Sequence, residues 1–258
     1  MIEINKVYNV DAIEFMRSLD DKSVDAYITD LPYGTTACSW DEIISFAPMW
    51  AEVKRTLKPR GVFVTTASQP FTSKLVMSNV SMFKYSWVWV KSISGDIFNA
   101  KNKPLKQHED VCVFSAGTTA NGSDNKMFYY PQGLTKLVSG KLKRNRETVR
   151  AFFTPRPSHG ATYLQEFENY PTSVLVFDND IGYHPTQKPV ALYEYLIRTY
   201  TQPGNLVVDF CCGSGTTGVA CLETGRNFIL NDSALEYVEV ARKRLAAPRT
   251  LPMFTEGL

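Results

Sequence analysis

Two short runs hold residues whose types and spacing could do chemistry together. The first is Asp30-Leu31-Pro32-Tyr33-Gly34, an acid-x-Pro-aromatic turn that follows the apolar run 24–28. The second lies far downstream, Asp209-Phe210-Cys211-Cys212-Gly213-Ser214-Gly215-Thr216-Thr217. Gly213, Gly215 and Gly218 satisfy G-x-G-x-x-G, after a strand pattern and at the opening of a helical one. Glycines keep such a turn tight and let a ligand approach the main chain. Asp232 follows at the end of the next strand pattern, where a carboxylate could accept hydrogen bonds from ribose hydroxyls. Loop, strand and acid together imply a cofactor containing adenosine. No G-x-x-x-x-G-K-[ST] is present, which excludes a P-loop as written. NAD(P) and S-adenosylmethionine (SAM) both remain compatible with the loop.

The elements that must position these runs alternate along the chain. Apolar residues recur at helical spacing in 11–19, 46–57, 71–80, 190–199, 216–223 and 236–245. Short β-branched or apolar runs predict strands at 24–28, 62–66, 85–90, 110–114, 206–209 and 227–230. Lys58-Pro59-Arg60-Gly61 reads as a stop between a helix and the next strand. Alternating β and α units predict an α/β fold with a doubly wound, Rossmann-like, mostly parallel sheet. Trp50 and Trp87 fall on expected core positions. Across 116–182 the periodicity fades into Gly, Asn, Ser, Pro and basic residues, which predicts an inserted, loop-rich region with little core of its own.

Composition narrows the class. The 258 residues are 44% hydrophobic, enough for one sizeable core. No apolar run is long enough to span a bilayer, and the first residues lack a signal-peptide pattern. Five cysteines without a C-x-x-C pair, and three histidines, suggest neither a disulfide scaffold nor a metal site. A reducing cytoplasm fits best. Net charge is only +2, but residues 84–156 hold 13 Lys/Arg against 5 Asp/Glu, a net of +8. Such clustering suits a polyanion, because lysine and arginine displace counterions from phosphates; a solvated basic loop is the plainer alternative.

Asp30-Leu31-Pro32-Tyr33 is similar to the Asp-Pro-Pro-Tyr signature of the amino-group DNA methyltransferases. The longer string 22–34 resembles that family throughout, as do His184-Pro185-Thr186-Gln187-Lys188-Pro189 and Glu236-Tyr237-Val238-Glu239-Val240-Ala241. With the catalytic turn ahead of the cofactor loop, the order resembles the family's β group. The resemblance implies a catalytic half in 1–115, a DNA target-recognition region in 116–182 and a SAM-binding half in 183–258.

The family's chemistry would use these residue types directly. An exocyclic base amine is a poor nucleophile, because its lone pair is delocalised into the ring. By resemblance, the Asp30 carboxylate and the Leu31 backbone carbonyl accept its two N–H bonds and localise that lone pair. Pro32 stiffens the turn and Tyr33 offers a ring for the base to stack on. Leucine stands where the family has its first proline; the carbonyl is retained, so Leu31→Pro is expected to be tolerated. Asp11 matches the position that contacts the cofactor's adenine, or else serves as a helix N-cap. Thr186 and Lys188 match the stretch at the methionine end, and Asp209 the acid near the donor's amino group. Gly213, Gly215, Thr216 and Asp232 complete the cofactor set, with Cys211 where the family has phenylalanine. His108-Glu109 resembles a recurrent pair in relatives and is assigned no catalytic role.

The resemblance thus implies a SAM-dependent methyltransferase for the N6 amino group of adenine in double-stranded DNA, reached by base flipping. Aspartate at position 30 favours adenine, and N4 of cytosine is the close alternative. No Pro-Cys pair supports cytosine-C5 chemistry, and no H-x-E with P-C-x-x-C supports deamination. A nicotinamide oxidoreductase would account for the glycine loop alone. A DNA-binding module with an inert site would account for the basic middle. Double-stranded DNA is the expected partner, with no membrane and no metal, and a homodimer is left open.

Overall fold

A computed structural model of the chain describes residues 2–35, 41–144, 162–180 and 187–247. The predicted alternation becomes β1 Lys6–Tyr8, α1 Ala12–Arg17, β2 Val24–Asp30, α2 Phe46–Thr56, β3 Leu57–Ala67, α3 Phe71–Ser78, β4 Phe83–Gly95 and β5 Lys106–Phe114. After β6 Thr135–Arg144, β7 Thr162–Glu168 and β8 Val174–Val176 come α4 Val190–Tyr200, β9 Leu206–Asp209, α5 Thr216–Thr224, β10 Asn227–Asn231 and α6 Leu235–Ala246.

Eight strands form one sheet in the order β1-β10-β9-β2-β3-β5-β4-β8. Only β5 runs against its neighbours; every other pairing is parallel. Parallel strands are covered on both faces, so successive residues enter opposite cores. Val62 and Val64 of β3 join Val207, Phe228 and Leu230 under α4, α5 and α6. Phe63 joins Tyr27, Val208 and Ile229 under α1, α2 and α3. Trp50 and Trp87 are core residues, at 4% and 3% exposure.

One local reading is corrected. Helix α2 does end at Thr56, but Lys58-Pro59-Arg60-Gly61 is not a separate stop; β3 begins at once with Leu57. Leu57 pairs with Val24 and Val62 with Ala26, so the residues between them bulge from the ladder. That bulge accommodates Pro59, which has no N–H to give to a neighbouring strand.

The chain forms two compact units, Met1–Tyr130 with Ser173–Leu258, and Pro131–Thr172. The smaller unit carries the antiparallel hairpin β6–β7, which the sequence pattern does not announce. Val138, Leu142 and Leu164 on it are exposed rather than gathered into a core. Residues 116–130 and 173–180 belong with the larger unit: Met127 is buried there, and β8 pairs with β4.

Candidate active site

From β2 the chain proceeds to β3 on one side of the sheet, and from β9 to β10 on the other. The crevice beyond the carboxyl ends of β2 and β9 is therefore a topological switch point, where open α/β sheets bind ligands. Asp30 ends β2 and Asp209 ends β9. Both line one cavity of about 540 Å³, within the range of cofactor sites. The two runs singled out in the sequence meet there.

The Asp30 carboxylate is held by three donors. Oδ2 lies 2.6 Å from Lys188 Nζ. Oδ1 accepts from the hydroxyl of Tyr33 at 2.9 Å and from that of Thr66. A carboxylate offers about four lone-pair positions, so one stays available to an incoming N–H. The Tyr33 hydroxyl also lies 3.2 Å from Glu109 Oε2, and its single proton serves one carboxylate at a time. Burial, then the Asp30 and Glu109 charges, push the Tyr33 phenol well above its ordinary value, so it remains a donor. The ring of Tyr33 stacks on Phe71 with centroids 5.2 Å apart. Leu31 buries its side chain in the core beneath α1, α2 and α3 at 3% exposure, while Pro32 lines the cavity.

Glu109 belongs to this cluster, although its sequence gave it no role. It comes from β5, is buried, and pairs with Lys91 of β4 and, at 3.5 Å, with Lys188. Burial alone would raise its carboxyl, but the Lys188 and Lys91 ammonium groups outweigh that and hold it down at about 2. Burial likewise disfavours the charge on Lys188, yet Asp30 and Glu109 raise its pKa above the ordinary lysine value. Asp41 is a second unforeseen residue. Its carboxylate accepts the backbone N–H of Tyr33 at 2.7 Å, of Gly34 at 2.9 Å and of Thr35 at 2.9 Å, which fixes the turn after Pro32.

The other wall is the glycine loop. Asp209 is buried and accepts from Thr29 at 2.7 Å, Thr217 at 2.5 Å and the Cys211 backbone at 3.1 Å. Burial dominates these hydrogen bonds and pushes its carboxyl up to about 7. Asp232 braces the loop, accepting from Gly213 N at 2.8 Å and Ala234 N at 3.0 Å. Thr216 opens α5 and donates to the Lys188 carbonyl at 3.3 Å. Cys211, Gly213, Thr216 and Asp232 all line the cavity; Gly215 does not, and instead turns the chain into α5. Burial pushes the thiols of Cys211 and Cys212 up, which keeps both protonated.

Asp11 lines the opposite rim and also caps α1, accepting from Ile13 N at 2.9 Å and Glu14 N at 3.0 Å. The side chain of Asn231 clamps Val10 through both backbone groups, at 3.1 and 3.0 Å, and so sets the segment that presents Asp11. Thr186 lies outside the described residues. Among those described, no three His, Cys, Asp or Glu side chains are placed to hold a metal, and no helix is long and apolar enough to cross a membrane.

Among the described residues, five carboxylates (Asp11, Asp30, Glu42, Asp209, Asp232) face the cavity against one amine, Lys188. An acidic wall of this kind suits a cationic, hydroxyl-bearing ligand and repels a polyphosphate. The residues present therefore fit an adenosyl sulfonium better than a dinucleotide.

Fold and site together define an α/β transferase with a cationic nucleoside cofactor and a rigid hydrogen-bond-acceptor turn. The family model described as "DNA methylase" (N6_N4_Mtase) matches residues 24–243, and the chain belongs to that family of SAM-dependent N6-adenine/N4-cytosine DNA methyltransferases. It is similar to the Type II methyltransferase M.HpaI of Haemophilus parainfluenzae, 28% identical over 91% of this chain and 72% of that protein. It is also similar to the Type II methyltransferase M1.MboII of Moraxella bovis, 28% identical over 93% of this chain and 96% of that one. The crystal structure of the M1.HpyAVI–SAM complex superposes with a TM-score of 0.59 at 25% identity, covering 93% of this chain and 99% of that chain.

Proposed function

We propose that this methyltransferase acts on the N6 amino group of adenine in double-stranded DNA. S-adenosylmethionine is the donor, and supplies a methyl group on a sulfonium when bound. The observation that carries the reading is the Asp30 carboxylate, fixed by Tyr33, Thr66 and Lys188 at the mouth of an acidic cofactor cavity.

The one lone-pair position of Asp30 left by its three donors accepts one N–H of the base amine. The Leu31 carbonyl accepts the other. The Asp30 carboxylate is held before the base arrives, so it stabilises positive charge on the nitrogen without reorganising. Asp209 and Asp232 would receive the amino and ribose ends of the cofactor. Asp11, which lines the same cavity, would contact its adenine. Because the amine is paired inside a duplex, the base must swing out, which costs a few kcal/mol. Lys136, Lys141 and Lys143 on the exposed hairpin of Pro131–Thr172 supply phosphate contacts, and that unit reads the target sequence.

The test is to express the protein in a host free of adenine and cytosine methylation and sequence its DNA for modified bases. N6-methyladenine at a defined motif is expected. N4-methylcytosine in its place would move the reading to the other branch of the family.

A further inference from the structure

The ribbon between β4 and β5 carries an exposed apolar tip that the site as described does not use. Strand β4 runs parallel to β2 and β9, so its end points to the same edge of the sheet as Asp30 and Asp209. Lys91 and Glu109 mark where the ribbon leaves the active site. Four further residues, about 13 Å of strand, bring β4 to Gly95, which pairs with Lys106. Beyond that the chain closes in a 3-10 turn, Ile97–Asn99.

The turn is built rather than loose. Asp96 adopts the left-handed conformation and its carbonyl accepts from Asn99 N at 2.9 Å. Asn99 O accepts from Asn102 N at 2.8 Å and Lys103 N at 3.1 Å. Lys103 Nζ then closes the loop on the Asp96 carboxylate at 2.8 Å. At the tip of this ordered turn Phe98 is 100% exposed, with Ile97 at 66%. Three lysines and one aspartate give the ribbon 92–108 a charge of +2, Lys91 being neutralised by Glu109. A fully solvated phenylalanine on a basic, hydrogen-bonded turn at the catalytic edge has the chemistry of a side chain that enters a base stack between phosphates.

We infer that the β4–β5 turn is a duplex-opening wedge, with Phe98 entering the helix beside the target base and Lys101 on the adjoining phosphate. This rests on the proposed DNA substrate: an extruded base leaves a gap in the stack, and an apolar wedge fills it. A protein partner covering the same tip is the competing occupant, and the lysines around it favour DNA.

The test uses the full chain, tritiated S-adenosylmethionine and, as acceptor, duplex genomic DNA from a methylation-deficient bacterium. Phe98→Ala is expected to keep the wild-type melting temperature and cofactor affinity and to lose more than tenfold in initial rate. Phe98→Trp is expected to keep at least half the rate. Lys101→Ala is expected to weaken DNA binding and flatten the plot of log K against log salt by about one contact. A Phe98→Ala variant within twofold of wild type overturns the wedge, as does a Phe98→Trp variant that fails equally. So does a loss that tracks a changed sedimentation coefficient, which would mark a protein interface. A wild-type enzyme that transfers no methyl to this DNA overturns the proposed function itself, and the wedge with it.

Discussion

Thr29 donates its hydroxyl proton to Asp209 across 2.7 Å, although the two residues stand 180 positions apart in the chain. Thr29 immediately precedes Asp30, the proposed acceptor, and Asp209 opens the glycine loop. One buried hydrogen bond therefore joins the proposed acceptor side of the site to the proposed donor side. It forms because β2 and β9 are sheet neighbours, with Tyr27 opposite Val208.

Asp209 should make both folding and cofactor binding depend on pH. Its carboxyl titrates near 3.8 when unfolded and near 7 when buried in the fold. Between those values the folded state binds the extra proton, so stability falls as pH rises from about 4 to 7 and levels off above. The slope approaches about 1.4 kcal/mol per pH unit. Asp209→Asn should flatten that segment of a urea-unfolding series. A cationic cofactor amine favours the ionised carboxylate, so affinity for S-adenosylmethionine should rise through pH 7 in wild type and not in Asp209→Asn. Titration calorimetry in buffers of different ionisation enthalpy would register the released proton.

The acceptor turn separates chemistry from packing. Asp30→Ala should reduce methyl transfer by at least 10²–10³-fold, the scale for losing one preorganised polar group, while DNA binding is retained. Leu31→Pro acts differently. The expectation of tolerance rested on the carbonyl alone, whereas the side chain is also buried in the core. That variant should keep transfer per folded molecule yet lose roughly 2 kcal/mol of stability. Tritium incorporation beside a denaturation curve distinguishes the two outcomes.

What could be read ahead of the structure was what is local. A sheet buried on both faces writes short continuous apolar runs, and β2, β3, β9 and β10 were legible for that reason. The outer parts of β4 and β5 project beyond the core, carry exposed residues and leave no such run. β1 and β8 are three residues each, too short for a period to show. Asp30, Asp209 and Asp232 were legible because acids at strand ends have few structural uses. Glu109, Lys91 and Asp41 were not, since nothing within a few positions of them reveals what they touch. Glu109 meets Lys188 because β5 lies two strands from β2, whose Asp30 binds the same ammonium.

Glu109→Gln tests whether that buried cluster holds the site in place. The native carboxyl is depressed from 4.5 to about 2, so its contribution is complete above pH 4.5 and vanishes as pH falls toward 2. At pH 7 the variant leaves Lys91 without its charged partner, a change that costs about 3 kcal/mol for a buried pair. The stability gap to wild type should close as pH drops from 4.5 to 2. Lys188 and Tyr33 would each lose one anchor while keeping Asp30, so kcat should fall several-fold with little change in KM for the cofactor. A uniform rise in KM with kcat unchanged would mean that Glu109 does not position the acceptor.

Gly215 should be the least replaceable residue of the cofactor loop. Its φ is +80°, and a Cβ there would come 2.9 Å from the Cβ of Ala241 on α6. Gly215→Ala therefore meets two penalties. The left-handed backbone costs about 1–2 kcal/mol for a residue with a side chain. The contact with Ala241 further requires α5 or α6 to shift, and α5 carries Thr216 and Thr217 into the site. Gly204 supplies the control: its φ is +82°, but no atom lies within 4 Å of the added Cβ. Both variants should lose a few degrees of melting temperature, at about 2–4 °C per kcal/mol for a chain of this size. Only Gly215→Ala should also lose affinity for S-adenosylmethionine, by tenfold or more. If Gly204→Ala weakened the cofactor equally, the effect would belong to global stability, and the close packing of the loop on α6 would have no part in binding.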